Sequence, residues 1–191
     1  ELADADAAAV SENVPAAAFV PAGLLDALDA RVAQDVALSV ASKTPSNALF
    51  TLASNWESAC RLALVGATMP SGVAAGDAAL RLAREHPNDV TSRVAARIVR
   101  CVVDAETIRE NASENVGHAS ESVEHASEQN ARLAAALVER RAASWDPRTT
   151  AATAPAVATL TRRFSESNEV IDGARAFLLA CASTTTETVG L

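Results

Sequence analysis

Three seven-residue units stand in tandem, Asn111–Gly117, His118–Glu124 and His125–Ala131, each with Ala-Ser-Glu at its second to fourth positions. In each unit a small apolar residue is followed four positions on by Val116, Val123 and then Asn130. A repeat of seven with apolar steps of three and four marks a helix with one narrow seam, and such a seam is buried only against another helix. The repeat therefore points to long, packed helices.

The same stepping extends on both sides. Ile98, Val102, Ala105, Ile108 and Ala112 lead into the repeat, and Ala119, Val123, Ala126, Asn130, Leu133 and Leu137 carry it on. No proline falls between Val90 and Ser144. The spacing predicts one helix there, about 80 Å long at 1.5 Å per residue, with Gly117 marking a kink or a close contact inside it. Trp145-Asp-Pro147 ends that segment. A second long seam follows over 154–182, through Val157, Leu160, Phe164, Ser167, Ile171, Ala174, Leu178 and Cys181, with Thr153 as its N-cap and Pro155 in its first turn. The short connection predicts that the two are antiparallel neighbours.

Three shorter helices precede them, about 24–42, 47–67 and 73–85, punctuated by Lys43-Thr-Pro45, Met69-Pro-Ser-Gly72 and Pro87-Asn-Asp89. Ser46 is placed to cap the second, and Asn88 or Asp89 the next. Trp56 shares a face with Leu49 and Leu52 and reads as a core anchor. The fold class expected is all-α: one elongated bundle over 1–191, built on a long antiparallel hairpin (about 90–144 and 154–182) with the shorter helices alongside. Residues 1–20 and 183–191 are expected to be loose. Asn130 and Ser167 interrupt the seams with polar groups and read as register-setting residues.

Composition explains how such a bundle packs. Alanine occurs 45 times, tyrosine not at all, and tryptophan and phenylalanine together six times. Burial must come from many small contacts between closely spaced backbones. A GC-rich codon bias, suggested by 15 arginines against the single Lys43, would also raise alanine, but it does not set alanine at seven-residue intervals.

Charge and motifs exclude more than they assign. The formal net charge is −8, and Arg140-Arg141 and Arg162-Arg163 are isolated pairs, so no basic face for nucleic acid is expected. Cys60, Cys101 and Cys181 lack zinc-ligand spacing. One bridge with one free thiol is possible in a secreted chain, but three thiols on apolar helix faces read better as small buried hydrophobes. His118 and His125 form a stripe with Glu114, Glu121 and Glu128, yet no Glu-x-x-His unit of a bundle metal site occurs. The stripe reads as a solvated face, and neither a metal nor a cofactor is expected. No nucleophile elbow, phosphate loop, dinucleotide turn or zinc-protease motif is present, so no catalytic residue is assigned and no enzyme is expected. Asn111-Ala-Ser113 matches the glycosylation acceptor pattern and would face water. No apolar run is long enough to span a bilayer. The start at Glu1, without a methionine, fits a processed chain or a trimmed one equally. If a small molecule binds, the expected place is where the short third helix leaves the long one uncovered.

With its alanine-rich composition and the heptads of residues 111–131 and 157–181, the chain resembles the alanine-rich surface coat proteins of trypanosomes, the glutamate/alanine-rich proteins and, more distantly, the amino-terminal domains of variant surface glycoproteins. The resemblance implies a non-enzymatic helical bundle at the cell surface, held by a lipid anchor beyond this chain's last residue, that shields or presents. It implies protein partners or self-association. A structural subunit of an organellar assembly, or a helical adaptor or effector, is the alternative reading of the same helices.

Overall fold

A computed structural model describes residues 21–113 and 121–189. These form seven helices with no strand among the described residues: α1 Ala22–Val40, α2 Pro45–Leu64, α3 Pro70–Glu85, α4 Ser92–Ser113, α5 Glu121–Arg141, α6 Pro147–Arg163 and α7 Asn168–Val189. The all-α class expected from the seam spacing is therefore what is observed.

Prolines start helices here more than they stop them. Pro45, Pro70 and Pro147 each open one, because a fixed φ suits the first turn and the missing N–H has no partner there anyway. The second helix thus begins before Ser46, whose hydroxyl reaches Asp89 at 3.3 Å instead of capping. α2 ends at a left-handed glycine, Gly66 (φ 87°). Its N–H donates to the Ala63 carbonyl at 3.0 Å and that of Ala67 to the Leu62 carbonyl at 2.9 Å, the wrap-around that closes orphan carbonyls.

Successive helices alternate in direction. Asp35 of α1 accepts from Asn55 of α2, while Asp29 of α1 accepts from Ser71 at the start of α3. α1 therefore runs against α2 and with α3. Across α2 and α4 the contacts climb together, Ser54 with Arg97, Glu57 with Arg100 and Cys60 with Cys101, so these two are parallel. α6 runs with α4, since Arg163 pairs with Glu110 near their ends and Ser92 and Thr149 share a cleft near their starts. The result is an up-and-down bundle in which α2 and α4 join an amino-terminal trio to a carboxy-terminal quartet. Leu49, Leu52, Ile98, Val99, Leu137 and Val138 lie at its fully buried centre.

The single helix expected over 90–144 is not what forms. Ser92 and Ser144 touch, hydroxyl to hydroxyl, at 2.6 Å, and Ser127 of α5 reaches Glu106 of α4 at 2.6 Å. The segment is folded back into two antiparallel helices, and the long hairpin with 154–182 is replaced by four alternating ones. The physical reason lies in the middle of the seam. Ala112, Val123 and Ala126 are exposed, and side chains that small offer little area to hold a rod against a neighbour. Folding back lets Val94, Ile98 and Val102 share a core with Ala131, Ala134 and Val138. Gly117, Val116 and Ala119 of the expected seam lie outside the described residues.

The second long seam is also divided. α6 closes at Phe164, and Ser167 N–H donates to the Phe164 carbonyl at 3.0 Å before α7 begins. Ser165-Glu-Ser-Asn168 is a cluster of turn-forming residues inside an otherwise regular spacing. Thr153, expected as an N-cap, sits inside α6, fully buried, with its hydroxyl donating to the Thr149 carbonyl at 2.8 Å. The cap is Asp146, which accepts from the Thr149 N–H at 2.8 Å. Leu178, an expected seam residue, is exposed on α7. The carboxy-terminal stretch expected to be loose is helical to Val189. Residues 1–20, also expected to be loose, lie outside the described residues.

Trp145 ties the quartet at one end. Buried between α5 and α6, its indole N–H donates to the Ser92 carbonyl at 3.0 Å, and its ring meets Phe177 of α7 edge-on, with centroids 6.1 Å apart. At the other end, α3 lies almost against α2. A Cβ on Gly76 would fall 2.7 Å from the Trp56 indole, and one on Gly72 would collide with Ala59 Cβ.

Two outcomes follow from these contacts. Gly76→Ala should destabilise the protein, since overpacking costs about 1–3 kcal/mol against at most about 1 kcal/mol of helix propensity gained. Gly23→Ala, where the added methyl meets open space, should stabilise by about 0.4–1 kcal/mol; paired urea denaturation curves read both. The second outcome concerns pH. Hydrogen bonds from the Thr149 N–H and hydroxyl hold the Asp146 carboxyl below the usual carboxylate range. A depressed carboxyl contributes stability that is full above its unfolded pKa and is lost as pH falls through the folded one. Asp146→Ala should therefore melt below the wild type at neutral pH, and the gap should narrow as pH falls through the depressed titration of the carboxyl.

Candidate functional site

Among the described residues, two polar clusters and an apolar cavity lie along α4. The first cluster is centred on Glu57 of α2, which takes Arg97 Nε at 2.7 Å and Arg100 Nη2 at 3.0 Å from α4 and Arg61 Nη2 at 3.1 Å from its own helix. Arg97 also donates to Ser54 and lies 5.2 Å over the Phe50 ring. One carboxylate thus gathers three guanidiniums at a helix–helix contact. Burial raises the pKa of the neighbouring Asp104, helped by the Glu57 charge and opposed by Arg100 and Arg61.

The second cluster joins α4 to α5. Glu106 is 7% exposed and accepts from Arg109 Nη2 at 2.6 Å and from the Ser127 hydroxyl at 2.6 Å. Ser127 is the third serine of the heptad units. The seam through α5 runs along Ser127, Ala131, Ala134, Ala135 and Val138, one residue round from the expected line through Ala126 and Asn130. Asn130 accordingly lies on the flank, half-buried, where its side-chain oxygen accepts from Arg84 of α3 at 2.6 Å. Its expected register role inside a seam gives way to a tie between α3 and α5. Ser167 likewise serves the start of α7, donating to Glu169 Oε2 at 2.9 Å, and not a seam.

The cavity, about 280 Å³, opens between α3 and α4 over α2. The short third helix borders it, the neighbourhood named above for a small molecule should one bind. Trp56, Met69, Leu80 and Ile108 supply apolar wall, Ala59 and Ala63 lie on the α2 side, and Thr68, Asp77, Arg109 and Asn130 are its polar members. It exists because the side chains between the helices are too short to meet. Cys60, also on its wall, is buried against Cys101 of α4, and both thiols are free. The hydrogen bond with Cys60, then burial, pushes the Cys101 thiol up, so it stays protonated and behaves as a small apolar group. Cys181 is half-buried.

Of the remaining residues singled out from the sequence, Asn111 is exposed on the last turn of α4. His125 is exposed, with its ring 2.9 Å from the Gln129 amide, and Glu128 pairs with Arg132. His118 and Glu114 lie outside the described residues, as does the Glu121 side chain. Among the described residues no three His, Cys, Asp or Glu side chains gather closely enough to hold a metal, and no described helix is long and apolar enough to cross a membrane. Arg141 donates to the Asn88 carbonyl and Arg163 pairs with Glu110, so these members of the two arginine pairs are spent on helix contacts. What sequence reasoning missed is the row Arg93, Arg97, Arg100, spaced by four and three along one face of α4. That spacing was the available signal.

No protein-family model, curated protein or solved structure matches the chain.

The Glu106 cluster makes a measurable claim. Ser127→Ala should cost about 1 kcal/mol by removing one hydrogen bond to a buried carboxylate. Glu106→Ala should cost more, about 2–3 kcal/mol, because it also strands the Arg109 guanidinium. The double variant should cost less than the sum of the two, as chemical denaturation of the four proteins would show.

Proposed function

We propose that the protein is a non-enzymatic helical-bundle surface protein that shields or presents at a cell surface, as the trypanosome coat proteins it resembles do. The observation that carries this reading is the bundle itself. Its closely packed small residues and the ion pairs between its helices, Glu57 with Arg97 and Arg100, suit a durable scaffold, which is what a coat needs. Asn111 is exposed, where a glycan would be accommodated, and the attachment to a membrane would come from a lipid beyond this chain. A structural subunit of an organellar assembly, or a helical adaptor, is the second reading. The exposed neighbours Leu178 and Leu179, at 66% and 70%, favour it, since adjoining bare leucines suit a protein partner.

Antibody labelling of intact and permeabilised cells separates the two. The surface reading expects staining of intact cells and, after glycosidase treatment, a mobility shift that Asn111→Gln abolishes. Staining only after permeabilisation, with co-purification in fixed stoichiometry with other chains, replaces it by the assembly reading.

A further inference from the structure

A second opening lies at the end of the bundle where α4 and α6 begin. It is a polar cleft of about 680 Å³ between the two helices. Arg93 and Arg100 of α4 and Arg148 of α6 line it, together with hydroxyls from Ser92, Ser144 and Thr149. Trp145 forms part of its wall. Three guanidiniums in one cleft are unexpected in a chain of net charge −8.

The local carboxylates offset these charges only in part. Asp146 is the one acid among the lining residues, and its two oxygens are taken by the Thr149 N–H at 2.8 Å and the Thr149 hydroxyl at 2.9 Å. Glu57 holds a single nitrogen of Arg100, at 3.0 Å, and a guanidinium has five donors. The guanidiniums of Arg93 and Arg148 have neither a hydrogen-bond acceptor nor an ion-pair partner among the described residues. They come from separate helices, so the fold, and not local sequence, brings these like charges to one opening. The positive end of the 22-residue α4 opens onto the same space.

We propose that this cleft binds a small soluble oxyanion, of the phosphate or sulfate monoester class, held between Arg93 and Arg148. Guanidiniums match the oxygen spacing of such groups and bind them in pairs of hydrogen bonds. Arg100, with one nitrogen on Glu57, supplies a third donor set. The volume accommodates a group the size of a sugar phosphate. This site is independent of the surface role proposed above.

The test uses the intact chain, labelled with nitrogen-15 and titrated at constant ionic strength. The probes are inorganic phosphate, inorganic sulfate, glucose 6-phosphate, and vesicles of equal parts phosphatidic acid and phosphatidylcholine. Saturable shifts at the Trp145 indole N–H and at the Ser92 and Arg93 amides are expected with the soluble anions. Arg93→Gln/Arg148→Gln should weaken binding about tenfold or more, while Arg81→Gln, an exposed change on α3, should leave it unaltered. Arg93 and Arg148 are exposed and carry no structural bond, so the double variant should fold, as its far-ultraviolet spectrum would show. Three results each overturn the proposal: no saturable shift with any soluble anion, equal weakening by Arg81→Gln, or binding to vesicles alone.

Discussion

Close approach of α3 to α2 is the constraint from which the rest of the bundle follows. Gly72 and Gly76 face Ala59 and Trp56 with no room for a methyl group. Gly173 does the same for α7, where a Cβ would fall 2.7 Å from the Ala135 carbonyl oxygen of α5. A chain with two tryptophans, four phenylalanines and no tyrosine has few large side chains to fill the space between helices. It gains dispersion energy by bringing backbones together instead, each contact small and the sum large. Such packing is intolerant of added volume. It also leaves a cavity wherever two helices diverge, because alanines do not reach across the gap. The apolar opening between α3 and α4 is that effect.

Small-residue packing specifies position weakly, since one alanine replaces another at little cost. The buried charges supply what the alanines lack. Glu57 meets Arg97 and Arg100 only if α2 and α4 run parallel in one register. Glu106 meets Ser127 only if α5 returns along α4 at one height. Each pairing recovers part of a desolvation cost that a slipped register would leave unpaid. Glu57 and Glu106 therefore contribute less through their own net energy than through the penalty their exposure to the wrong neighbours would carry.

How much of this was legible in the sequence depends on the kind of information. The helices were, since proline, glycine and three-four spacing mark them locally, and five of the seven lie within segments read as helical from end to end or nearly so. The reversal between α4 and α5 was not. A seam made of Ala112, Ala119 and Ala126 repeats as well in a rod as in a folded pair, and periodicity reports which side of a helix is apolar without reporting what lies opposite. The break at 164–167 had a signal, the run Ser-Glu-Ser-Asn, which a regular spacing of apolar residues overrode. Asn130 and Ser167 stand on the apolar lines that spacing draws, but Asn130 lies on the flank of the packed seam and Ser167 in the turn before α7. Each satisfies a local need, a tie to Arg84 and the start of α7, that only the three-dimensional neighbours reveal. The arginine cleft was hidden for the same reason, because Arg148 and the row on α4 lie in different helices.

The reversal and the cleft stand or fall together. An unbroken helix from residue 90 to 144 would put Arg93 about 75 Å from Ser144, the residue that leads to Arg148. Folding α5 back along α4 returns the chain to its starting level, where Ser144 meets Ser92 and Trp145 closes on the Ser92 carbonyl. α6 then sets out beside α4 in the same direction, and the first turns of both helices arrive at one place. Parallel neighbours present their positive ends together, where antiparallel ones would oppose a positive end with a negative one. An excess of positive charge at that end is thus a consequence of the topology, reinforced by Arg93 and Arg148, in a protein whose overall charge is of the other sign.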